Sequence, residues 1–165
     1  KIGYLSGALG SFIMQVRHKA FFNAMRQNGL HADASMSGAS FYITESMQKH
    51  VPRLLNMGVT AIICSHDMLA NAAMIQCQQL GCDVPGDVSI IGFDDLPICA
   101  YTYPPLTSVR QNRLMLGKCG YSALSSLIDQ VPIGTLHLHA SLIVRESTAQ
   151  APKKDAGIST GNSAK

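Results

Sequence analysis

The stretch Thr60–Asp95, TAIICSHDMLANAAMIQCQQLGCDVPGDVSIIGFDD, decides the fold. It opens on the apolar run Thr60–Cys64, which suits a strand buried on both faces. Asp67–Leu80 then reads as a helix, ended by Gly81. Pro85 and Gly86 mark a turn into a second apolar strand, Val88–Gly92. Two strands buried on both faces and joined through a helix are the repeating unit of a parallel sheet.

Outward from this unit the same grammar continues. Lys1–Ser6 reads as a short buried strand, broken by Gly7 and Gly10. A helix from about Ile13 to Asn28 follows, with Val16, Ala20, Phe21, Ala24 and Met25 at helical spacing and Gly29 as its stop. Ala32–Met36 is a strand candidate, and a helix with Thr44 as its N-cap runs to Met57, although Pro52 interrupts its interior. Downstream come a proline-containing loop, a strand at Thr107–Arg110, a helix over about Leu114–Ile128 and a strand-like stretch, Leu136–Arg145. Ala149–Lys165 is small, polar and aperiodic, the composition of a disordered tail. The class is α/β: an open parallel sheet with helices on both faces.

Composition excludes several functional classes. Of the 165 residues, 47% are hydrophobic and only 14% charged, which is too apolar for a disordered chain and sized for one domain. No apolar run approaches the roughly 20 residues that span a bilayer, so no membrane association is expected. The net charge of +3 rests partly on Lys153, Lys154 and Lys165 in the tail. The remaining Lys and Arg are scattered, with no stripe for nucleic acid. Cys64, Cys77, Cys82, Cys99 and Cys119 are odd in number and lack CxxC spacing, which suits free thiols in a reducing cytoplasm. The chain starts at Lys1 without a signal-peptide pattern, and its start reads as a cut inside a longer protein.

Ligands of open parallel sheets bind beyond the carboxyl ends of the strands. That rule selects the Gly7–Ser11 loop, the stretch after Met36, Ser65–Asp67 and Phe93–Asp95. The Gly7–Ser11 loop precedes a helix and could meet an anion, but it lacks the Lys and Ser/Thr of a phosphate-binding loop. Asp94 and Asp95 could hold a divalent cation such as Mg²⁺, accept hydrogen bonds from ligand hydroxyls, or cap the next segment. Asp67 can cap the helix that begins there, which would leave His66 to face a ligand. Arg17 offers a guanidinium fork for vicinal hydroxyls or a carboxylate. His137 and His139 share a strand face but would need a third metal ligand. No Ser-His-Asp or Cys-His arrangement follows from spacing, so no enzyme is expected and no cofactor is implied.

Taken together, KIGYLSG, the helix bearing Arg17-His18-Lys19-Ala20-Phe21, the Thr60–Asp95 stretch, YTYPPLTSVRQ and LIVREST resemble the lactose- and galactose-repressor (LacI/GalR) family of bacterial transcription regulators. The resemblance covers about residues 1–149. It implies an effector-binding core like the type I periplasmic binding proteins, with a small molecule, a sugar or sugar derivative, held between two α/β subdomains. Residues 1–149 would be mostly the carboxy-terminal subdomain, with about 112–134 packing on a missing amino-terminal subdomain and 150–165 as tail. Roughly 170 to 190 residues would precede Lys1, including a helix-turn-helix through which alone operator DNA would be bound. A homodimer in the cytoplasm is implied.

By position, Arg17 matches the family arginine that clamps effector groups, and Asp94 the acid that accepts from them. His66 stands where the family usually has Asn, which changes the donor and acceptor pattern. An aromatic that stacks on ligand falls near Ser40–Tyr42, with Phe41 as the candidate. Two other readings share the residues: a periplasmic sugar-binding protein of a transporter, and an Mg²⁺-dependent α/β enzyme using Asp94 and Asp95.

Overall fold

The computed structural model describes residues 1–40 and 43–152. Its strands, β1 (Ile2–Ser6), β2 (Ser37–Ala39), β3 (Ala61–Cys64), β4 (Ser89–Phe93), β5 (Thr107–Arg110) and β6 (Ser141–Ile143), form one sheet in the order β2-β1-β3-β4-β5-β6. The first five are parallel, and β6 runs antiparallel to β5. The helices are α1 (Phe12–Gln27), α2 (Ile43–Asn56), α3 (Asp67–Gln79) and α4 (Arg113–Ile128).

Alternation along the strands sorts side chains to two faces. Leu5, Ile62, Cys64 and Ile90 point to one side, where they pack with Met47, Val51 and Leu54 of α2 and Leu69, Ala73 and Met74 of α3. This is the main core. Ile2, Tyr4 and Ile63 point to the other side and meet Phe21 and Met25 of α1. Tyr4 stacks on Phe21 with ring centroids 5.1 Å apart. Beside α1 an apolar groove of about 390 Å³ runs over β3–β5, lined by Tyr4, Met25, Ile63, Phe93 and Val109, with Arg17 at its rim.

Several local expectations are corrected. The expected strand Ala32–Met36 is instead a 3-10 turn at Ala34–Met36, with the strand displaced to Ser37–Ala39. The cause is Asp33, whose carboxylate accepts from Ser35 N at 2.7 Å and so supports a turn over an extended chain. Thr44 lies inside α2, which begins at Ile43, and is not its cap. Pro52 sits within α2 without ending it. The carbonyl it cannot bond belongs to Gln48, an exposed residue.

Only Ser141–Ile143 of the stretch Leu136–Arg145 forms a strand, so His137 and His139 share no strand face. Residues 146–149 are fastened to the sheet: Ser147 Oγ accepts from Thr107 N at 2.8 Å and donates to Ile90 O at 2.6 Å. Ala149 is paired with Ser89 Oγ. Of the stretch read as tail, residues 153–165 lie outside the described residues, as does Phe41. No residue of α4 is buried, and Leu114, Tyr121 and Ile128 are each more than 70% exposed.

Candidate functional site

Strand ends build the site. At the end of β4 the chain turns sharply, with Asp94 at φ +102° and Asp95 at φ +49°. A non-glycine residue at φ +102° is held only where its surroundings fix it, at a cost of about 1–3 kcal/mol. Here Asp94 N donates to Val109 O of β5 at 2.8 Å, and Asp95 N donates to Ser108 Oγ at 3.1 Å. The turn sends the two carboxylates to different surroundings.

Asp94 faces α1 and the end of β5. Its Oδ1 accepts from Arg17 at 3.2 Å and from Gln111 Nε2 at 3.0 Å. Arg17 also donates to Ser65 O, and its guanidinium lies 3.8 Å above the Phe93 ring centroid. An arginine stacked and bonded in this way is fixed in plane before any ligand arrives. Asp94 Oδ2 makes no hydrogen bond among the described residues, and the side chain is 32% exposed, so one acceptor oxygen is open.

Asp95 turns inward. It accepts from Arg110 Nε at 2.5 Å and from Arg145 at 2.7 Å. Burial pushes its carboxyl up, but the two arginines outweigh that and hold it below the usual carboxylate range. With one acid turned to Arg17 and Gln111 and the other to Arg110 and Arg145, Asp94 and Asp95 do not face a common site as a cation-binding pair would. Among the described residues no cluster of three or more His, Cys, Asp or Glu forms a metal site.

His66 corrects the expectation for its neighbour. It is the N-cap of α3, its Nδ1 accepting from Leu69 N at 3.2 Å. Asp67 is fully buried and ties the β4 turn to β5, accepting from Leu96 N at 2.7 Å and Ser108 Oγ at 2.5 Å. Burial, aided by the Arg17 charge, pushes the His66 imidazole below its ordinary value against the opposing pull of Asp94 and Asp67. The neutral ring whose Nδ1 accepts carries its proton on Nε2. That nitrogen lies on the Gly7 side of the site, so His66 presents one N–H donor.

The structure thus brings together Arg17, His66 and Asp94. Ser65 and Phe93 fall in the stretches that the strand-end rule selects, without a role of their own there, and sequence reading missed Gln111. Gln111 directly follows β5, so the same strand-end rule could have found it. Arg17 and Asp94 are coupled, an open carboxylate oxygen and an imidazole N–H flank them, and Phe93 lies beneath. Such a set can hold a small polar molecule by alternating donors and acceptors.

Residues 1–148 match the model of the family described as periplasmic binding protein-like domain. The HTH-type transcriptional regulator MalR of Streptomyces coelicolor is 40% identical over 119 residues, a match covering 68% of this chain and 33% of that protein. The transcription regulator CcpA of Lactococcus lactis superposes with a TM-score of 0.79 at 30% identity, over 90% of this chain and 56% of CcpA. The lac repressor dimer, solved bound to operator and the anti-inducer ONPF, gives a TM-score of 0.79 at 25% identity, over 90% of this chain and 52% of that one. The chain therefore spans a third to somewhat over half of the proteins it matches. It belongs to the periplasmic binding protein-like domain family, in the branch formed by the effector-binding domains of LacI/GalR-type transcription regulators.

Proposed function

We propose that this chain is the effector-sensing part of a bacterial transcription regulator and that it recognises a hydroxyl-rich small molecule, a sugar or sugar derivative. The observation that carries this reading is the Arg17–Asp94–Gln111 cluster, laid on Phe93 at the carboxyl ends of β4 and β5. Vicinal hydroxyls both donate and accept, and the open Asp94 oxygen, the Arg17 fork and the His66 N–H supply the complement. The chain binds rather than turns over its ligand. The exposed apolar side of α4 packs on the remaining subdomain, which closes over the ligand, and the regulator works as a cytoplasmic homodimer. Operator DNA is contacted through a separate domain.

The relatives reported above are transcription regulators, which favours this reading over a transporter's binding protein. A thermal-shift screen of monosaccharides, disaccharides, sugar acids and nucleosides on the full-length regulator tests it. A ligand at a hundredfold its Kd adds about 2.7 kcal/mol of stability. A stabilising sugar or sugar derivative supports the proposal, and stabilisation by none of them counts against it.

A further inference from the structure

Helix α3 ends in a closed turn. Gly81 takes φ +71°, Gly81 N donates to Gln78 O at 3.1 Å, and Cys82 N donates to Cys77 O at 2.9 Å. These are the two crossed bonds of a Schellman motif, which brings the side chains of its first and last residues together. Here both are cysteines. With standard bond lengths on either side of the 2.9 Å bond, their α-carbons are at most about 6.8 Å apart, within the span a disulfide bridges. Cys82 packs against the core cluster that contains Cys77. Cys77 is fully buried, whereas Cys82 is partly exposed and borders a surface groove with Asp83, Val84 and Tyr103.

We propose that Cys77 and Cys82 form a redox-sensitive dithiol that peroxide converts to an intramolecular disulfide, stapling the end of α3 to the turn before β4. The Cys82 sulfur attacks hydrogen peroxide, taking one oxygen to become a sulfenic acid while the other leaves as water. The Cys77 sulfur then displaces the hydroxyl of that sulfenic acid, forming the S–S bond and releasing a second water. Peroxide is reduced and both thiols are oxidised. Burial pushes the Cys77 thiol up to about 12 and raises that of Cys82, so the reaction is slow at neutral pH and accelerates as pH rises.

The test treats the natively folded full-length protein with excess hydrogen peroxide, quenches it, alkylates it without reductant and cleaves it before aspartates. Asp67 and Asp83 bound a fragment holding Cys77 and Cys82 and no other cysteine. The expected fragment is lighter by two hydrogen atoms and carries no alkyl group. After reduction it should carry two. In Cys82→Ser the same fragment should keep one alkylatable thiol. A wild-type fragment that remains doubly alkylated, or one with Cys82 driven to sulfinic acid while Cys77 stays free, would overturn the proposal.

Discussion

His66 makes two demands on one ring. Its Nδ1 caps α3, which only the neutral ring allows, while its Nε2, a donor in either protonation state, lies at the site. The folded-state pKa is lowered, so the unfolded chain binds more protons as pH falls below its ordinary value of about 6.5. The contribution of His66 to stability is therefore fully present above that value and is lost as pH falls through the folded value. Urea midpoints measured from pH 7.5 down to pH 5 should decline in the parent. In His66→Asn, where an amide caps the helix without titrating, the decline should be shallower. Equal slopes would show that the cap does not titrate as described.

Asp95 is the residue whose loss should unfold most. It is 7% exposed and joins Arg145, two residues past the end of β6, to Arg110 of β5. Asp95→Asn leaves the largely buried Arg145 without its counter-charge, which costs about 3 kcal/mol. Chemical denaturation should show that loss, and a change below about 1 kcal/mol would contradict the pairing. Asp94→Asn, at a more exposed pair, should leave stability within about 1 kcal/mol of the parent.

At the scale of elements, the β4 strand end was legible in the sequence, and its consequence was not. An apolar run between Gly86 and the two aspartates announces a buried strand. Which acid turns to Arg17 and which turns inward depends on two positive φ angles and on Ser108 and Val109, which are distant in sequence. Gly92 belongs to the same construction: a Cβ there would meet Asp67 Oδ1 and lie 3.3 Å from Asp67 Cα. Gly92→Ala should displace Asp67 from Leu96 N and Ser108 Oγ and cost about 1–3 kcal/mol, read by thermal melting. A neutral effect would mean that the approach of α3 to β4 is not tight. Helices α1, α2 and α3 were recovered to within a residue or two because a buried face imposes its period. The 3-10 turn at Ala34–Met36 was missed because one Asp33 side chain outweighs a weak strand propensity.

For the whole molecule, the largest feature is apolar surface left in water. Leu114, Leu116, Tyr121, Leu124, Leu127 and Ile128 of α4 are all more than half exposed, and the groove beside α1 is open. Exposed apolar faces of this kind drive association. Expressed alone, residues 1–165 should sediment as dimers or larger species, and Leu124→Lys with Leu127→Glu should shift them toward monomer. A parent chain that is monomeric at all concentrations would show that α4 needs no partner.

In the proposed function Arg17 and Asp94 act together on a hydroxyl-rich effector, and calorimetric titration of the stabilising sugar measures that joint action. The titration compares the full-length regulator with its Arg17→Ala and Asp94→Asn variants. An unpaired buried donor or acceptor costs about 1–3 kcal/mol, so each variant should bind roughly tenfold to a hundredfold more weakly. Because the two groups are hydrogen-bonded, the double variant should lose less than the sum. Parent-like affinity in both single variants, with the fold intact, would contradict the account.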